Sequence, residues 1–399
     1  MVKEPTEEQS KILQQKGNIV ITAKPGSGKT YTIVEKIARV IPDLPEYKGV
    51  IAISFTNKAS DELKRRCKQR CADTKQSFFG TIDKFYISQI IIPFSSHVTG
   101  NITEYEIVDN IDESSKYALL LEEPFSSKKE SILVEGLQEG KIFLKYTGET
   151  ALYILENVPG AMQYIKARYS HIIIDEYQDC GEIQDKVFIK LVESGLTGIA
   201  VGDINQAIYG FTKRFPKYLI ALMKRDDFAR FELSKNHRCH PSISEYSLCL
   251  FGASKTVPRE KRVFKVDISG DERSIAAAID KYLNQIKDKY GIVRNNQVAI
   301  LCRSNSTAFK VGENLSTPYK IFEETVLDRD NSEWGRFFRD LISARFDESV
   351  FAVDYAEQLF SEELEPQKYR KALALCQSIF SNSFDDFCNA EDKIKELAG

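Results

Sequence analysis

Residues Ala23-Lys24-Pro25-Gly26-Ser27-Gly28-Lys29-Thr30 set two glycines, a lysine and a hydroxyl between an apolar run and an amphipathic one. Glycine takes backbone angles closed to residues with a Cβ, so the amides of this stretch can turn inward around an anion. A helix opening at Lys29 would add its N-terminal amides and dipole. Lys29 would then reach the β- and γ-phosphates of a nucleotide, and Thr30 would offer its hydroxyl to Mg2+. Ala23 stands where the strict phosphate-loop pattern has glycine, a small-residue variant. The competing reading is a glycine-rich strand–helix turn with an incidental lysine.

A triphosphate site also needs carboxylates. The stretch HIIIDEYQD, residues 171–179, carries Asp175 and Glu176 at the end of an apolar run. Asp175 would hold Mg2+, directly or through water, and Glu176 would orient and deprotonate an attacking water. An isolated Asp-Glu pair is usually a solvated turn. Here a buried strand precedes it and a phosphate loop accompanies it, which favours the chemical reading.

The elements that must position these groups follow from periodicity. Near-continuous apolar runs at 18–23, 49–56, 171–176 and 198–203 predict parallel strands buried on both faces. Amphipathic stretches at 30–41 and 60–70 lie between them, so the chain reads as β-α-β units and a parallel sheet with flanking helices. From Pro93 to about Gly160 the strand pattern lapses, which predicts a helical insertion. A second cycle follows, with strands expected at 261–269, 297–305 and 319–324 and a helix over 271–291 ending at Gly291. From Ser332 the chain reads as helical and acidic.

Bulk properties narrow the class. At roughly 100–200 residues per domain, 399 residues predict two to four domains. With 42% hydrophobic and 28% charged residues, the composition is that of a soluble globular protein. No run of about 18 apolar residues predicts a membrane span, and the N-terminus MVKEPTEEQ is no signal peptide. Eight scattered cysteines, with only Cys67 and Cys71 four apart, read as reduced thiols of a cytoplasmic protein rather than a metal site. The net charge of −3 argues against a uniformly basic nucleic-acid binder. Residues 322–399 nevertheless hold 18 acidic and 9 basic groups, leaving residues 1–321 at +6. A basic front fits an anionic ligand, and a solvated surface almost as well.

The block DEYQD resembles the DExQD box of superfamily 1A DNA helicases, the UvrD/Rep group. Other blocks follow in that family's order: PTEEQ (5–9) is similar to the Q motif, ISFTNKASDELKRR (53–66) to motif Ia and GTIDKF (80–85) to motif Ib. VGDINQAIYGF (201–211) resembles motif III, LSKNHR (233–238) motif IV, and VAILCRSN (298–305) the first strand of the second motor domain. The resemblance implies an α/β fold: a RecA-like phosphate-loop motor domain (1–92 and 161–257) with a helical insertion (93–160). The start of a second, incomplete RecA-like domain (258–330) and of a helical 2B-like insertion (331–399) would follow. It implies ATP and Mg2+ as cofactors, ATP hydrolysis, and 3′-to-5′ movement on single-stranded or 3′-tailed DNA.

Residue by residue, the resemblance gives Gln9 the adenine edge, although Thr6 and Gln9 also form a helix capping box that would explain Gln9 alone. Pro25, Gly26, Ser27 and Gly28 would line the phosphates, and Gln178 would sense the γ-phosphate. Phe55, Thr56, Asn57, Lys58 and Thr81 would meet DNA by stacking and phosphate contact. The basic run at 64–70 is as readily a solvated helix face. Asp203 and Gln206 would lie between the γ-phosphate and the strand, with Tyr209 and Phe211 stacking nearby or packing in a core. Arg238 would stabilise charge on the γ-phosphate; His237 departs from the family's tyrosine.

Beyond Asn305 the family's motifs V and VI do not occur, so the arginine finger of motif VI is missing from this sequence. The expectation is that it forms the front part of a longer protein, the rival being a short form without motor function. Its compactness is similar to the helicase-like subunit of the Gabija anti-phage system, which implies a nuclease partner in a hetero-oligomeric defence complex. A sensor that reads ATP and DNA for that nuclease, with little unwinding, is the alternative to a translocase. A small-molecule kinase fits the second α/β cycle and the DExQD box poorly.

Overall fold

The computed structural model describes residues 4–71, 73–100, 104–122, 125–204, 216–249, 260–322, 333–344, 352–359 and 366–381. The chain divides into two units, Met1–Phe264 and Lys265–Gly399.

In the first unit the leading elements are α1 (Glu7–Gln14), β1 (Asn18–Ala23), α2 (Lys29–Val40), β2 (Gly49–Ile53), α3 (Asn57–Arg70) and β3 (Phe78–Gly80). Strands β4 (Glu106–Val108), β5 (Lys141–Phe143), β6 (Tyr169–Ile174), β7 (Thr197–Gly202) and β8 (Phe228–Leu233) follow. Six of them make one sheet, ordered β3-β2-β6-β7-β1-β8, and every pairing in it is parallel. All six therefore end at the same rim, and the loops after them share that rim.

Alternation explains the apolar runs. Val20, Ile51, Ile53, Ile172 and Ile174 face one core, with Ile154, Ile165, Phe188 and Leu191 from the helices over it. Ile19, Ile21, Val50, Ala52 and Ile173 face the other, against Ile33 and Ile37 of α2 and Leu63 of α3. Both faces are covered, so successive residues are apolar. Each fully buried aliphatic side chain contributes about 1.5–3 kcal/mol.

The differences from the sequence reading have local causes. Strand β2 stops at Ile53 rather than Thr56, because Thr56 caps α3, its hydroxyl accepting from the Ala59 amide at 3.2 Å. Strand β6 stops at Ile174, because Glu176 adopts a left-handed conformation with φ 56°. Strands β3 and β8 are not among the four apolar runs. β3 has only three residues, and β8 lies at the sheet edge, where its burial alternates. The insertion is mostly helical, with helices Ser127–Gln138 and Thr147–Asn157, but it also holds the parallel pair β4–β5. A separate core of Tyr117, Leu120, Leu133, Phe143 and Tyr146 supports that pair.

The second unit is helical among its described residues. Its helix Glu272–Tyr290 begins at Asp271, whose carboxylate accepts from two amides, and ends at Gly291 with φ 64°, as the sequence predicts. Helix Asn305–Glu313 follows, and Asp280 accepts from the Ser316 and Thr317 amides after it. Among the described residues of the tail lie helices Glu333–Ala344, Ala352–Leu359 and Pro366–Ser381. The stretches expected as strands at 261–269, 297–305 and 319–324 form no ladder among the described residues, the last two of them, 323–324, lying outside those residues. A strand is held by its neighbours' backbone groups, and among the described residues none is paired with these stretches. Leu301 and Phe322 are accordingly 93% and 90% exposed. Among the described residues no helix is long and apolar enough to cross a membrane.

Candidate nucleotide site

The phosphate loop leaves β1 at Ala23 and enters α2 at Lys29, with Gly28 at the helix N-cap. Gly26 and Gly28 have φ of 72° and 89°, in the left-handed region that a Cβ disfavours. Space reinforces the choice. A Cβ on Gly26 would meet Arg238 Cβ at 2.8 Å, and one on Gly28 would meet Gln9 Nε2 at 2.8 Å. The Ser27 hydroxyl is buried without a hydrogen-bond partner in the structure. Such an orphan is costly unless a ligand satisfies it.

Two positions away in the sheet, β6 delivers Asp175 and Glu176. The Asp175 amide donates to Ile53 O at 3.0 Å, and its carboxylate accepts from the Glu176 amide at 2.9 Å. Burial, with the neighbouring Glu176 adding to it, pushes the Asp175 carboxyl up to about 6, against the pull of Lys29. Lys29 Nζ lies 2.7 Å from Glu176 Oε2, and Gln178 Nε2 donates to the same oxygen at 2.8 Å. Gln178 Oε1 in turn accepts from the Asp203 amide at the end of β7, at 2.9 Å. A Cβ on Gly202 would meet Gln178 Oε1 at 2.6 Å, so the glycine makes room for this link. The loops after β1 and β6 thus meet on one carboxylate, and Gln178 links it to the end of β7.

The loop after β8 closes the site from the other side. Lys24 N donates to Leu233 O at 3.0 Å, and His237 N to Gly26 O at 2.8 Å. Asn236 Nδ2 donates to Pro25 O at 2.6 Å, while its Oδ1 accepts from the Arg238 and Cys239 amides at 2.9 and 2.8 Å. Helix α1 is fixed at both ends. Glu8 accepts from the Ser234 amide and hydroxyl, and Lys36 Nζ donates to Ile12 O, Leu13 O and Gln15 O at the helix C-terminus. Burial lowers the Lys36 pKa.

The structure brings together Gln9, Ala23, Pro25, Gly26, Ser27, Gly28, Lys29 and Thr30 with Asp175, Glu176, Gln178 and Arg238, all on the carboxyl rim or the helix against it. Gln9 Oε1 accepts from the Thr6 amide at 2.9 Å, so the capping box is formed and Gln9 also lies against the phosphate loop. Phe55, Thr56, Asn57 and Lys58 follow β2 and Thr81 follows β3 on the same rim, beyond β6. Phe55 is half-buried against the core, and Thr81 caps the turn Ile82–Phe85. In the basic run, Arg65 and Arg66 pair with Glu62 and Arg70 pairs with Glu35. Gln206, Tyr209 and Phe211 lie outside the described residues. Asn236 was not singled out from sequence; the signal was an asparagine two residues before the arginine, a turn-forming type in a loop.

These groups fit a Mg2+-nucleotide: two left-handed glycines, a buried orphan hydroxyl, a lysine at a helix N-terminus and a buried carboxylate. Among the described residues no cluster of three or more His, Cys, Asp or Glu side chains could hold a metal by itself, so any ion here would need oxygens from a ligand as well. The described cysteines are free thiols, and burial pushes Cys67 up to about 12.

Known proteins are similar to this chain in sequence. The family model described as AAA domain matches residues 7–212, just over half of the chain. The chain is 29% identical over 331 residues to the Gabija protein GajB of Bacillus cereus, covering 80% of this chain and 64% of that protein. It is 26% identical over 392 residues to DNA helicase II of Haemophilus influenzae, covering 84% of this chain and 53% of that one. It is 26% identical over 248 residues to the ATP-dependent DNA helicase PcrA of Staphylococcus aureus, covering 52% and 34%. The chain therefore spans between a third and two thirds of the length of these relatives.

Proposed function

From the premise that this chain belongs to the AAA-domain family, in its UvrD-like superfamily 1A group, we propose that it binds and hydrolyses ATP to drive a helicase-like activity on DNA. The observation that carries the reading is the Lys29–Glu176 contact at 2.7 Å, joined by Gln178. It puts a phosphate-seeking ammonium and a general-base carboxylate in one cluster, linked through Gln178 to the end of β7.

The chemistry follows from competition for Lys29. A γ-phosphate entering the loop draws the ammonium away from Glu176. That carboxylate, still held by Gln178, then orients a water and accepts its proton. Thr30 and Asp175 would hold Mg2+, which supplies positive charge against the triphosphate. Arg238 faces the γ-phosphate from the β8 loop and offsets charge in the transition state. Gln9 reads the adenine edge through the amide nitrogen that its cap leaves available. Gln178 carries the state of Glu176 to Asp203 and the motif III segment with Gln206, Tyr209 and Phe211. Single-stranded DNA crosses the ends of β2 and β3, over Phe55, Thr56, Asn57, Lys58 and Thr81, and moves 3′ to 5′. Similarity to GajB supports a role in anti-phage defence, in the cytoplasm and with a nuclease partner. In the alternative, it signals to that nuclease and unwinds little.

The test is ATP hydrolysis by the full-length protein with and without single-stranded DNA. Hydrolysis should rise with DNA and fall by about 10²–10³-fold in Lys29→Ala and Glu176→Gln. Equal rates with and without DNA overturn the translocase. DNA-stimulated hydrolysis without separation of a 3′-tailed duplex selects the sensor.

A further inference from the structure

We propose that Asn236 is a positioning residue: it locks the loop bearing Arg238 onto the phosphate loop, and so sets the preference for a nucleoside triphosphate over a diphosphate. The inference rests on the nucleotide reading above and adds a residue to it.

Strands β1 and β8 are parallel neighbours, in register up to the pair Ala23–Leu233. Past that pair the two chains would ordinarily diverge, since one enters helix α2 and the other continues to a helix at Pro241–Cys249. They instead stay joined for several residues. The ladder is extended by Lys24 N to Leu233 O, and a second backbone bond runs from His237 N to Gly26 O. Between these, the side chain of Asn236 bridges the two loops, its Nδ2 donating to Pro25 O at 2.6 Å.

The other end of the same amide does local work. Oδ1 takes the amides of Arg238 and Cys239, at 2.9 and 2.8 Å, which folds the backbone around Arg238 into a tight turn. One planar group therefore fixes both the conformation of the arginine's backbone and its distance from the loop. Gly26 completes the fit, because a Cβ there would strike Asn236 Nδ2 at 2.9 Å and Arg238 Cβ at 2.8 Å. Arg238 is exposed, so its reach to a terminal phosphate depends on where its Cα is held. A phosphate group one position shorter does not reach it. The tie should thus matter for the γ-phosphate and little for the rest of the nucleotide.

Asparagine and aspartate separate the two halves of this role. Asn236→Asp keeps the Oδ1 acceptor and hence the local turn, but sets an oxygen against Pro25 O. Asn236→Ala loses both. The experiment titrates the full-length protein with fluorescent ADP and with a slowly hydrolysed fluorescent ATP analogue, and records melting temperatures alongside. In both variants the triphosphate-over-diphosphate affinity ratio should fall about tenfold or more, with ADP affinity kept, as expected when a charged contact is misplaced by an ångström. In an Arg238→Ala background Asn236→Ala should cause no further fall. A wild-type ratio in Asn236→Asp overturns the proposal, as does an undiminished loss in the Arg238→Ala background. Loss of ADP and triphosphate binding alike assigns Asn236 to fold maintenance and also overturns it. Wild-type protein that takes up neither nucleotide sinks the nucleotide reading itself, before any variant is compared.

Discussion

At the carboxyl rim of the large sheet, Asp175 is a buried carboxylate raised to about 6, Glu176 sits at φ 56°, and the Ser27 hydroxyl is buried without a partner in the structure. At the amino rim several polar groups are satisfied. Lys36 spans three carbonyls of α1, Asn18 Oδ1 accepts from the Gly198 amide at 2.9 Å, and Ser77 Oγ accepts from Val50 N at 3.1 Å. One sheet of parallel strands carries both rims, so the contrast is not one of packing. It lies in what the loops at each end are asked to do. At the carboxyl rim the raised carboxylate, the left-handed Glu176 and the orphan hydroxyl lie together where a ligand could relieve them, beside helix caps at Thr56 and Thr81. The amino rim has its own left-handed residue, Lys75 at φ 48°, and a buried Arg168 Nε without a hydrogen-bond partner, but these do not gather at one site.

The largest expected effect breaks this contrast at Asp175. Asp175→Asn should lower ATP hydrolysis by about 10²–10³-fold, yet the variant should melt at a higher temperature than wild type. The sign follows from the raised carboxyl. The folded chain keeps a proton that the unfolded chain gives up at its ordinary 3.8, so that contribution to stability is complete below about 3.8 and lost as pH rises through about 6. Asparagine keeps the acceptor for the Glu176 amide and never ionises. Its advantage in calorimetry should be plain at pH 7.5 and shrink towards pH 4. A variant that melts lower at pH 7.5 would mean the rim is not strained.

Lys36→Met probes the other rim. Removing the ammonium leaves carbonyls at the end of α1 uncapped, at a cost of about 1–3 kcal/mol. Denaturant melts should show this loss while hydrolysis per folded molecule at saturating ATP is kept. A large fall in turnover with unchanged stability would merge the two rims into one functional unit. The smallest effect is expected on neither rim. Glu62 pairs with Arg65 and Arg66 on the exposed face of α3, and these guanidiniums hold its carboxyl below the ordinary range. Glu62→Gln should leave the melting curve unchanged at physiological salt, because exposed pairs are screened. A clear drop would give the basic helix a structural weight that its exposure does not suggest.

Much of the first unit was legible in sequence because its signals are short-range. The run Asn18–Ala23 alternates between two covered faces, and Gly26 and Gly28 carry backbone angles few other residues tolerate; in the second unit Gly291 likewise ends its helix as expected. The boundaries at Ile53 and Ile174 were not legible, since a cap at Thr56 and a left-handed Glu176 decided them. Strand β8 was hidden because an edge strand needs only one apolar face. The stretches at 261–269, 297–305 and 319–324 carry the same β-branched pattern as the first unit's strands and form no ladder among the described residues. Pattern states a preference for extended backbone; pairing needs a neighbour, and a neighbour is a tertiary fact.

What the sequence determined by itself, then, was the local chemistry: a glycine-rich loop before a helix, an acidic pair after an apolar run, and the order of the blocks around them. Only the tertiary structure decided that Lys29 and Gln178 share one oxygen of Glu176, and that Asn236 joins a loop 211 residues away. The physical reason is the parallel sheet. It gathers the ends of six strands at one rim, in an order the chain does not follow, and so makes neighbours of residues whose spacing in sequence carries no trace of it.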